Sequence, residues 1–196
     1  MSTEEKQFYH PDQRLVMATI LSRSGWVTGE LHVSKNRATA EFLEHGHEFL
    51  SLTNARIEAS MDEIPFFALH RSAILLIMVD SNEGSRPPSR SSVLEDEHPL
   101  FFLLDVGTVR GLLSVPTNLR LSDFLVNPRH YFLVRQARLK VRDPWSQVTS
   151  EQAQPCVFLS VDAIVGISER LERRPRAPSI HPQSVLPRRP SSITGR

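Results

Sequence analysis

Residues 25–57, GWVTGELHVSKNRATAEFLEHGHEFLSLTNARI, decide the fold, because residues 107–139, GTVRGLLSVPTNLRLSDFLVNPRHYFLVRQARL, repeat them without a gap. Ten of the 33 paired positions are identical: Gly25/Gly107, Val27/Val109, Gly29/Gly111, Leu31/Leu113, Val33/Val115, Asn36/Asn118, Phe42/Phe124, Leu43/Leu125, Ala55/Ala137 and Arg56/Arg138. Unrelated segments of this length share roughly two. Several substitutions keep their character, as in Glu41/Asp123, Phe49/Tyr131 and Ile57/Leu139. What recurs is glycine and apolar alternation, which build a fold, and not the acids, bases and nucleophiles that build a catalytic centre. The predicted class is mainly β: two homologous small antiparallel β-barrel-like units, each with a short helix.

Working outward, Leu15–Leu21 (LVMATIL) reads as a short buried strand. In Trp26–Val33 the residues Val27, Gly29, Leu31 and Val33 share one face, as Val109, Gly111, Leu113 and Val115 do in the second unit, which is the signature of half-buried strands. Thr39–Leu43 and Leu121–Leu125 read as one- to two-turn helices, with Ser122 as a cap and Phe42-Leu43 or Phe124-Leu125 as anchors. They close at Gly46 and at Asn127-Pro128. Glu48–Ala59 and Tyr131–Arg142 are strands, and the closing apolar elements Phe66–Val79 and Cys156–Ile167 match through Leu69/Leu159, Ala73/Ala163, Ile74/Ile164 and Ile77/Ile167. Each unit then has four strands, with a longer loop around Asp143–Gln154 in the second.

These elements divide the chain into a polar lead-in (1–14), a first β unit (15–80), a linker (81–98), a second β unit (99–172) and a tail (173–196). The linker SNEGSRPPSRSSVLEDEH is rich in serine and proline and cannot supply a core. The tail carries six arginines and five prolines without periodicity, so it reads as a disordered basic terminus. Its six arginines leave 17 Lys and Arg against 22 Asp and Glu in residues 1–172, a body of about −5 beneath a net charge of +1. That asymmetry excludes a uniformly basic nucleic-acid binder. The one cysteine, Cys156, allows no internal disulfide, and the start MSTEEKQFYH is too acidic for a secretory leader. The longest apolar run, Ala73–Val79, is too short to insert in a membrane, so a cytoplasmic protein is expected.

The phrase Gly-x-Leu, then Arg-Leu-Ser-Asp-Phe-Leu, Phe-Leu and Ala-Arg (Gly111, Leu113, Arg120–Leu125, Tyr131–Leu133, Ala137-Arg138) resembles a tandem repeat of uncharacterised bacterial proteins. The resemblance covers about two thirds of the chain and implies no activity. Gly29-x-Leu31 followed by Leu52-x-Asn54-Ala55 is similar to the Sm-like small β-barrels. A short helical phrase stands where the RNA-binding members of that group carry Asp and Asn, so the resemblance implies the bent barrel and none of the RNA-binding residues.

Catalytic chemistry has thin support. Glu41, Glu44, His45, His47 and Glu48 form the densest set of metal-ligand types, yet Asp123, Val126, Asn127, Arg129 and His130 occupy the second copy. A solvated polar turn accounts for them. Cys156 opens an apolar strand with no base in sequence, the setting of a small core residue. No Gly-rich phosphate loop or Gly-x-Ser-x-Gly is present. No catalytic residue, metal or cofactor is predicted, and the chain is read as no enzyme. Gly29, Leu31, Phe42, Leu43, Gly111, Leu113, Phe124 and Leu125 are the repeat core. Arg173, Arg174, Arg176, Arg188 and Arg189 are the candidate contacts to a partner or anion, and Arg188–Ser192 also suits a basophilic kinase. Phe8-Tyr9, Phe66-Phe67 and Phe101-Phe102 are candidate apolar contacts at strand edges.

The function these features predict is a protein-interaction, scaffolding or regulatory adaptor module, its partner a protein or a second copy. The alternative is a nucleic-acid-associated protein using the basic tail and both barrels. A small-ligand sensor with a pocket between the units comes third.

Overall fold

Short runs of alternating apolar residues form strands, and here they join into one antiparallel sheet. The structure is a computed structural model that describes residues 12–45, 48–58, 60, 62–80, 94–127, 129–144 and 146–169. Among these, the first half of the chain contains β1 (Gln13–Ser22), β2 (Gly25–Ser34), α1 (Thr39–Glu44), β3 (Phe49–Ile57), β4 (Glu63–His70) and β5 (Ile74–Val79). The second contains β6 (Glu95–Leu104), β7 (Gly107–Pro116), α2 (Leu121–Val126), β8 (Tyr131–Arg142), β9 (Thr149–Ser160) and β10 (Ile164–Glu169). The ten described strands run in the order β10-β6-β7-β8-β9-β5-β1-β2-β3-β4.

The duplication reaches backbone detail. In each half a 3-10 turn, Arg71–Ala73 or Val161–Ala163, leads into the last strand. Gly29 and Gly111 each face a bulge in the next strand, where Asn54 and Gln136 take φ of 50° and 47°. A Cβ on Gly111 would lie 2.5 Å from Val134 Cγ1 and 2.6 Å from the Arg135 carbonyl oxygen. The missing side chain at this position lets two strands approach across a bulge.

Both halves place their strands in the same order, β5-β1-β2-β3-β4 and β10-β6-β7-β8-β9. They meet where β9 pairs with β5, through Leu76↔Leu159 and Ile77↔Phe158. Different ends of the two halves are joined, so they relate head to tail and not by a twofold axis. Two hydrophobic clusters result. Ile74 and Ile77 of β5 and Phe158 of β9 enter the cluster with Leu31, Leu43 and Leu52. Their neighbours Leu75, Leu76, Val157 and Leu159 enter the one with Phe102, Phe124 and Phe132. Covered on both faces, β5 is the uninterrupted apolar run ILLIMV.

Several expectations are corrected. Each half has five strands, because the polar His70-Arg71-Ser72 breaks the run Phe66–Val79 into β4 and β5, with the His70 side chain accepting from the Ser72 amide. The added residues of the second half lengthen a hairpin instead of a loop: Lys140–Arg142 extend β8 and Thr149–Gln152 begin β9. β6 begins at Glu95, so residues 95–98 are strand and not linker. Ser122 lies inside α2, whose N-cap is Arg120 without a side-chain cap bond. The sheet is open: among the described residues β4 pairs only with β3, and β10 only with β6. Residues 1–11, 81–93 and 170–196, with Gly46 and Pro128, lie outside the described residues.

Candidate functional site: open edges and the seam

An edge strand offers unpaired N–H and C=O groups to any extended chain, so the two ends of the sheet are the first places to seek a partner site. At one end, Phe66, Ala68 and His70 of β4 lie opposite Thr53, Ser51 and Phe49 of β3. Phe66 is 62% exposed and Phe49 51%, and the Phe49 ring meets His70 edge-on at 5.0 Å. His70 Nε2 lies 2.8 Å from the Glu48 carboxylate. The strip is an aromatic surface with a polar clasp beside it. At the other end β10 exposes Val165, at 60%, with Ser168 and Glu169. Of the other phenylalanines singled out in the sequence, Phe102 is buried, and the Phe101 ring lies 5.4 Å from the Arg110 guanidinium.

The repeat residues take core positions. Leu31, Leu43, Leu113 and Phe124 are buried, while Phe42 and Leu125 are half-buried against the two clusters. Phe124 stacks on Phe132 at 6.1 Å, and the Arg129 guanidinium lies 3.8 Å from its ring centre. Burial holds the Arg129 pKa below its ordinary range, against the raising effect of Glu44.

The candidate metal ligands do other work. Glu44 accepts the His130 backbone N–H at 2.8 Å and so ties α1 to the second half. His45 Nδ1 lies 3.0 Å from the Glu41 carbonyl, Glu48 pairs with His70, and His47 lies outside the described residues. Among the described residues no group of three or more His, Cys, Asp or Glu could hold a metal ion. Cys156 is buried, which pushes its thiol pKa up against the lowering effect of Arg135. A thiol held protonated is a poor nucleophile. The five candidate tail arginines lie outside the described residues.

The seam is the feature that the sequence does not announce. Beside Glu44–His130, the Arg71 guanidinium reaches the Leu43 carbonyl and sits 5.8 Å from the Tyr131 ring centre. Elsewhere along the seam lies an open depression of about 850 Å³, lined by Trp26, Arg56 and Glu58 of the first half and Asp143, Gln152 and Gln154 of the second. Asp143 is buried at 4% exposure and accepts the Ser146 amide. The Glu58 pKa is raised first by desolvation and then by the charge and hydrogen bond of Asp143. A neighbouring negative charge disfavours the ionised carboxyl. The single clue in sequence is Asp143 at the end of the lengthened β8, and only the fold brings Glu58 to it.

No family model, curated protein or solved structure matches this chain. Among the described residues, no helix is long and apolar enough to cross a membrane.

Proposed function

We propose that this chain is a non-enzymatic interaction module, an adaptor or scaffold built from two homologous small β units, that receives a protein partner along the open β4 edge. The observation that carries this reading is the exposed aromatic strip of Phe66 and Phe49 along β4, whose outer edge is open among the described residues. Strand addition uses such an edge: backbone bonds supply affinity, and alternate side chains supply selectivity. Duplication of fold-forming residues without duplicated catalytic groups supports the same reading. A cytoplasmic location fits a chain with one cysteine.

The test is affinity purification of the full chain and of residues 1–172, with mass spectrometry and the 260/280 nm absorbance ratio read on the same eluates. The expected result is a discrete protein at a low ratio from both forms. Nucleic acid that is lost with the tail and falls away steeply with salt would instead favour a phosphate-binding role for the arginines.

A further inference from the structure

The two copies use one face of the sheet differently. In the second half Arg138, Arg110, Phe101 and Ser168 lie side by side across β8, β7, β6 and β10, and the Arg110 guanidinium stands 5.4 Å from the Phe101 ring centre. The equivalent row of the first half is Arg56, Thr28, Thr19 and Met78 across β3, β2, β1 and β5. Directly paired residues point to the same face, so two threonines stand where the second half has its arginine and phenylalanine. With these small side chains the row lines the depression of about 850 Å³ at the seam. That volume falls within the roughly 300–1,000 Å³ of small-ligand sites.

The other lining groups define what fits. Trp26 lies two residues from Thr28 along β2, on the same face, and brings an indole to the depression. Gln152 and Gln154 come from β9, and Gln154 Nε2 lies 3.5 Å from Gln152 Oε1. Each amide carries a second polar atom as well, Oε1 of Gln154 and Nε2 of Gln152. The charged lining is matched within the protein. Arg56 donates to Glu63 at 2.8 Å, Glu58 is hydrogen-bonded to Asp143, and Asp143 also accepts the Ser146 amide.

We propose that the depression binds a neutral carbohydrate, a short oligosaccharide with one ring against Trp26 and its hydroxyls bonded to Gln152, Gln154, Thr19 and Thr28. A sugar ring offers a C–H face, which suits the negative face of an indole, and a rim of hydroxyls that both donate and accept. A phosphorylated or sulfated ligand would meet the Glu58 and Asp143 carboxyls, and a cationic one would meet Arg56 on the same rim. The inference is independent of what binds the β4 edge.

The test begins with a glycan array that carries neutral oligosaccharides beside sialylated and sulfated ones, probed with the full chain. Neutral members alone should be retained, and excess spermine, a cationic probe, should not compete. Calorimetry with the best-retained neutral glycan then compares variants. T19F/T28R installs the residues that the second half already carries in this row, so it should fold and lose binding. Q152A/Q154A should bind at least about tenfold more weakly. Retention of no neutral glycan, preference for the anionic ones, displacement by spermine, or undiminished binding by a folded T19F/T28R or Q152A/Q154A would overturn the proposal.

Discussion

Phe124 shows how much one repeated side chain does. It stacks on Phe132 and carries Arg129 on its ring, and α2 lies over the core through it. Phe124→Ala removes a buried ring and its contacts with Phe132 and Arg129, so it should cost about 3–5 kcal/mol. Equilibrium unfolding in urea checks this, and a wild-type midpoint would contradict the core assignment. Gly111 and Gly166 make a second contrast. A methyl at Gly111 meets the Val134 side chain and a carbonyl oxygen at 2.5 and 2.6 Å, whereas nothing lies within 4 Å of one at Gly166. Gly111→Ala should therefore lower the melting temperature by several degrees and Gly166→Ala should leave it nearly unchanged. Glycine alternation marked Gly29 and Gly111 in the sequence, but the bulges that need them involve Asn54 and Gln136, which no local pattern distinguishes.

Among the elements, equivalent strands diverge according to what covers them. Leu76, Met78 and Val79 of β5 correspond to Gly166, Ser168 and Glu169 of β10. The inner copy lies between two clusters and is apolar throughout, while the outer copy, the end strand of the sheet among the described residues, is polar toward its end. Restoring Leu, Met and Val together in G166L/S168M/E169V should make that edge adhesive. Light scattering should then show concentration-dependent self-association absent from the wild type, and an unchanged monomer would count against this role of the three residues. Strand periodicity and the position of the short helices were legible because period-2 alternation and the Phe-Leu anchors are local signals. The break between β4 and β5 was not, because its one local mark is the short polar phrase His70-Arg71-Ser72, with apolar runs on both sides of it.

For the molecule as a whole, the gapless repeat announces duplication but not how the copies join. The head-to-tail meeting of β9 and β5 depends on contacts between residues some eighty positions apart, such as Ile77 with Phe158. The polar groups at that seam, Glu44 and Glu58 of the first half and Asp143 of the second, have no counterpart in the other copy, so the internal comparison passes over them. Glu58 makes the seam sensitive to pH. Its folded-state pKa is raised above the ordinary 4.5, so its contribution to stability is fully present below that value. The contribution is lost as pH rises through the folded value. Glu58→Gln should flatten the decline in melting temperature over that window, and an unaltered profile would remove Glu58 from the account.

For a protein partner docking on the β4 edge, the two sheet ends provide their own control. Phe66 and Val165 are exposed to a similar degree at opposite edges, so Phe66→Asp and Val165→Asp carry similar risk to folding. Titration calorimetry with the captured partner compares both with the wild type. Docking at β4 requires at least about tenfold weaker binding for Phe66→Asp, the loss expected of an aromatic anchor, and wild-type affinity for Val165→Asp. Wild-type affinity for Phe66→Asp, or loss only with Val165→Asp, would contradict it.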